Sequence, residues 1–150
     1  MLRGPFRLYT SIIAMGFLQL SSAAFAIDSV PGPVPARVLA VIDGDTLVVQ
    51  ARIWIGQAVE TKVRLENIDT PELTARCEEA RLLAEAARAL VQELADHGEV
   101  TLHDVHVGKY AGRVLARVVA ADGRDFGATL LAAGLARSYD GGARLPWCGR

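Results

Sequence analysis

From Arg37 onward the apolar positions fall into short runs separated by turn residues. Val38, Leu39, Val41 and Ile42 lead into Asp43-Gly44-Asp45. An Asp-Gly pair between apolar runs signals a hairpin, because both residues tolerate the backbone of a tight turn. Thr46 to Ile55, rich in branched and aromatic residues, predicts a second strand; Gly56-Gln57 turns the chain, and Glu60 to Ile68 alternates as a third. The period then changes. From Cys77 to Asp96, Leu82-Leu83, Ala86-Ala87, Leu90-Val91 and Leu94-Ala95 recur every four residues with charged residues between them. That stripe predicts an amphipathic helix ended by Gly98. Val100 to Val107 and Val114 to Ala120 read as two more strands, Phe126 to Ala133 as a short helix stopped by Gly134, and Arg137 to Arg150 as an irregular tail.

Five strands with a helix inserted after the third predict a mainly β protein with α, a five-stranded OB-fold (Greek-key) barrel carrying one long and one short helix. The first 26 residues lie outside this pattern. Arg3 and Arg7, an apolar run from Tyr9 to Leu20 and Ala24-Phe25-Ala26 read as a signal peptide cleaved near Ala26, with an uncleaved anchor as the alternative. Export to the periplasm or the medium is expected either way. Residues 27–36, with Pro31, Pro33 and Pro35, read as a stiff extended linker, and 37–150 as one domain without a membrane span, expected to be monomeric.

Charge narrows the candidate functions. The whole chain has a net charge of −1, and losing Arg3 and Arg7 leaves 14 basic against 17 acidic side chains, a net of −3. A protein that blankets many phosphates is normally basic. Nucleic-acid binding here must rest on a few placed arginines and a metal ion. Cys77 and Cys148 are the only cysteines, and an oxidising compartment favours their pairing. The three histidines, His97, His103 and His106, fit no metal-ligand spacing.

Two acidic turns are the candidate chemistry. Asp43-Gly44-Asp45 lies in the first turn, and Asp69-Thr70-Pro71-Glu72 follows the third strand. Brought together, they make the cup of oxygens that a hard divalent cation takes. Arg64 sits in an otherwise apolar strand, where a guanidinium needs an anion; Glu60 or Glu66 on the same sheet is the ordinary partner, and a phosphate the functional one.

The joint pattern resembles the staphylococcal nuclease, or thermonuclease, family. The matching segments are Val41-Ile42-Asp43-Gly44-Asp45-Thr46, Val63-Arg64-Leu65 with Ile68-Asp69-Thr70-Pro71-Glu72, Lys109-Tyr110 with Gly112-Arg113-Val114-Leu115-Ala116, and Gly134-Leu135-Ala136. The resemblance implies an OB-fold enzyme that hydrolyses DNA and RNA with calcium. It implies Asp45 and Asp69 as metal carboxylates, the Thr70 carbonyl as a further ligand and Asp43 next to them. It also implies Glu72 acting on the attacking water, Arg64 and Arg113 on the phosphate, and Lys109 and Tyr110 on a terminal phosphate. Ala111 adds one residue to the family spacing, and the chain ends where better-known members continue into a third helix. A Cys77–Cys148 bridge is expected to pin the tail to the first helix in its place. The alternative is a non-catalytic OB-fold module binding nucleic acid or an envelope partner, with Trp54, Trp147, Tyr139 and Gly141-Gly142 as its contact surface.

Overall fold

A computed structural model describes residues 28–109 and 112–149; residues 1–27, which hold the expected signal peptide, together with Tyr110, Ala111 and Arg150, lie outside the described residues. The elements run in the order β1 (Ser29–Val30), β2 (Val34–Val41), β3 (Thr46–Trp54), β4 (Gln57–Leu65), β5 (Ile68–Asp69), α1 (Glu78–Leu94), β6 (Glu99–Val107), β7 (Arg113–Ala120), α2 (Phe126–Ala132) and β8 (Arg137–Ser138). β2, β3 and β4 form an antiparallel meander. Parallel pairing of β4 with β7, and antiparallel pairing of β7 with β6 and of β6 with β2, closes five strands into a barrel. The expected OB-type barrel with a long and a short helix is the observed architecture. Closure leaves no exposed barrel edge, which short twisted strands achieve and flat ones do not.

The proline-rich lead-in is extended but does more than link. β1 adds to the outside of β6, and β2 begins at Val34, three residues before Arg37. The tail is likewise less irregular than its sequence: β8 pairs with β5 in a two-stranded ladder.

Alternation along the strands fills the barrel. Leu47, Val49, Val63, Leu65, Leu102 and Val118 are fully enclosed, as are Val91 of α1 and Phe126 and Leu130 of α2. Each large apolar side chain so buried stabilises the fold by roughly 2 kcal/mol. The buried stripe of α1 is Ala80, Ala84, Ala87, Val91 and Leu94. Small residues along that stripe let α1 lie close to the first acidic turn, where Ala87 meets Gly44. No helix among the described residues is long and apolar enough to cross a membrane.

Candidate functional site

The β2–β3 turn is built to aim a carboxylate inward. Asp43 Oδ1 accepts from the Asp45 backbone N–H at 3.1 Å, and the Ile42 N–H donates to the Thr46 carbonyl at 2.9 Å. Gly44 is there for space: a Cβ would lie 2.6 Å from Ala87 Cβ of α1 and 3.1 Å from Thr70 Oγ1. That close approach seats the turn on the helix and beside the second acidic loop. At the end of β4, Asn67 takes a φ of 60°, a left-handed conformation that asparagine tolerates, and β5 starts immediately after it.

Arg64 joins the two turns. It is 7 % exposed, and its Nη1 donates to Asp45 Oδ1 at 2.7 Å while Nη2 reaches Asp69 Oδ1 at 3.5 Å. The partners are therefore the two loop acids; Glu66 instead faces His106 at 3.9 Å, and Glu60 sits opposite Gln50 further down the sheet. Asp45 also accepts from Thr46 Oγ1 at 2.9 Å and from the Thr70 N–H at 3.5 Å. Burial, with a smaller contribution from Asp43, pushes the Asp45 carboxyl up to about 6 even though Arg64 pulls it down.

A cleft of about 850 Å³ opens beside this cluster, lined by Asp43, Thr46, Arg64, Glu72, Lys109 and Arg113 among others. Parallel pairing sets Arg113 opposite Lys62, two residues from Arg64 on the neighbouring strand, so both arginines face the same mouth. Asp43, Asp45, Asp69, Thr70, Glu72, Arg64, Lys109 and Arg113 are thus gathered at one end of the barrel. Tyr110 lies outside the described residues.

The tail contributes residues that sequence reasoning did not place here. Arg144 Nε lies 3.2 Å from Asp69 Oδ1 and its Nη1 2.8 Å from Glu72 Oε1. Trp147 Nε1 donates to Asp69 Oδ2 at 3.1 Å, and the Arg137 guanidinium stacks on the Trp147 ring 3.5 Å from its centroid. The Cys77–Cys148 disulfide holds this segment, with Cα atoms 5.8 Å apart. One signal was available: Cys77 stands five residues beyond Glu72, so a bridge to Cys148 delivers its neighbours to that acid.

The donor set suits a hard cation. Among the described residues no three His, Cys, Asp or Glu side chains converge as a cage. What the site offers is the oxygens of Asp45 and Asp69, with Thr70 and Asp43 adjacent. Asp45 is buried with a second carboxylate, Asp43, beside it, a concentration of negative charge that a bound cation would help balance.

No curated protein matches this chain. Residues 62–144 match the family described as staphylococcal nuclease homologue, a span that takes in Arg64, Asp69, Glu72, Arg113 and Arg144 but starts after the Asp43–Asp45 turn. With the closed barrel and the match over more than half of its length, the chain belongs to the staphylococcal nuclease homologue family.

Proposed function

We propose that this protein is a metal-dependent nuclease that hydrolyses phosphodiester bonds of DNA, RNA or both, with calcium as its ion. The observation that carries the reading is that Arg64 ties Asp45 to Asp69 at the wall of the cleft that Glu72, Arg113 and Lys109 also line. Asp45 and Asp69, with the Thr70 carbonyl and Asp43 close by, would hold the ion. When bound, it lowers the pKa of a water ligand and draws charge from the phosphate oxygens.

The chain's own groups do the rest. Attack of water on a phosphodiester builds negative charge on the non-bridging oxygens. The fixed guanidinium forks of Arg64 and Arg113 bind that charge more tightly as it develops, which is what lowers a barrier. Glu72 orients the attacking water and accepts its proton as one ester P–O bond breaks, the leaving oxygen taking a proton from solvent, and Lys109 and Tyr110 bind a terminal nucleotide phosphate. A net charge of −1 for the whole chain suits such local recognition. Export fits the disulfide, since such bonds persist in oxidising compartments.

The test is purified protein with single-stranded and duplex substrates, titrated with calcium and chelator. Hydrolysis should require the cation. Glu72→Gln should fold and bind calcium by calorimetry yet lose about 10²–10⁴ in turnover. Hydrolysis that persists in chelator, or wild-type turnover in Glu72→Gln, overturns the proposal. Oligonucleotide binding without cutting by the wild type would favour the non-catalytic module instead.

A further inference from the structure

We propose that the disulfide-anchored tail is a working part of this site, with Arg144 and Trp147 as positioning residues that act through Glu72 and Asp69. The inference rests on the nuclease reading for the roles of those two acids.

Glu72 needs such help. Its side chain is 58 % exposed on the loop between β5 and α1, where a carboxylate samples several rotamers. Arg144 removes that freedom by presenting two edges of one guanidinium, Nη1 to Glu72 and Nε to Asp69. A planar fork can bridge two acids in fixed geometry, which a lysine ammonium cannot. Trp147 settles Asp69 from the other side. Indole N–H is a donor only, and it meets Oδ2 while Arg144 and Arg64 meet Oδ1, so the plane of the carboxylate is fixed.

The tail itself is held in place at several points. Arg137 stacks on the Trp147 ring and donates from Nη1 to the Pro146 carbonyl at 3.2 Å. Upstream, the Tyr139 N–H donates to the Asn67 carbonyl at 2.9 Å and Lys109 Nζ to the Gly141 carbonyl at 3.0 Å. Beyond Trp147 the chain is tied by Cys148 to Cys77, the residue just before α1. A tail that merely filled space would turn apolar groups inward; this one directs N–H donors at two acids. Breaking the disulfide frees the end of the segment that carries both donors, so activity should depend on the oxidised bond.

The experiment compares wild type, Arg144→Ala, Arg144→Lys, Trp147→Phe and Cys77→Ser/Cys148→Ser, each confirmed folded by circular dichroism. Arg144→Ala should lower kcat by up to about 10²-fold with KM little changed, and Arg144→Lys should recover only part of the loss. In the cysteine double variant, or in reduced wild type, kcat should fall similarly, and adding Arg144→Ala should then have little further effect. Trp147→Phe keeps the stacked ring but not the N–H. Its calcium affinity by calorimetry should drop about 10- to 100-fold, as for partners that orient a metal ligand. Raised KM with unchanged kcat would make Arg144 a phosphate contact, and raised kcat would make the tail an inhibitory strap; either overturns the proposal, as does full additivity with disulfide loss. A wild type that binds calcium but cuts nothing removes the nuclease reading and with it the role of Arg144 on Glu72, while the role of Trp147 on Asp69 stands or falls with whether Trp147→Phe lowers calcium affinity. If it does neither, both fall.

Discussion

At the scale of single residues, Arg64 bears the most on both stability and chemistry. Its guanidinium and the Asp45 carboxylate are both buried, so each offsets part of the other's lost hydration. Arg64→Ala leaves Asp45 enclosed without that partner, and should reduce the unfolding free energy in urea by about 3 kcal/mol as well as abolish turnover. Arg64→Lys should hold one acid but not both, restoring part of the stability and little of the activity. Its alternative partners on the sheet, Glu66 and Glu60, are nearer in sequence than Asp69 and far nearer than Asp45. What excludes them is the direction of the side chain at the barrel mouth, where Thr46 lies opposite Arg64 and carries Asp45 beside it.

Among the elements, α1 and α2 do different work. α1 brings its alanine face against Gly44 and so fixes the distance between the two acidic turns. α2 supports the barrel through Phe126 and Leu130. Its N-cap, Asp125, accepts from the Ala128 N–H at 2.9 Å, satisfying a donor that would otherwise have no helical partner. Asp125→Ala should therefore lower stability by about 1 kcal/mol, measured by thermal or urea unfolding, while leaving kcat and KM unchanged. A change in kcat would show that α2 is coupled to the site. The same helix ends at Gly134, whose φ of 69° is the left-handed conformation that closes a helix at little strain.

For the whole molecule, the barrel and the tail are joined by one covalent link across 71 residues. Closing a loop of that length restricts the unfolded chain by roughly 4 kcal/mol on the entropic view. Urea unfolding with and without reductant should show a loss of up to that size, with alkylated thiols appearing only in the reduced sample. Two freely alkylated thiols in the unreduced protein would contradict the bridge. The same tie anchors the segment that places Arg144 beside Glu72 and Trp147 beside Asp69.

The sequence by itself determined the periods and therefore the elements: the meander, the long amphipathic helix, the later strands and the short helix. It also showed the two acidic turns and the arginines, because these lie in contiguous motifs from Val41 to Glu72 and from Lys109 to Ala116. Only the tertiary structure decided the partners. Arg64 reaches an acid 19 residues away, and Trp147 one 78 residues away. The barrel and the Cys77–Cys148 bridge are legible as expectations, but which side chains they bring together depends on strand register and loop geometry, which local spacing does not carry. The sequence reads the lead-in as an extended linker and the tail as irregular for the same reason: strands of two residues have no period, and β1 and β8 exist because a partner strand already stands beside them.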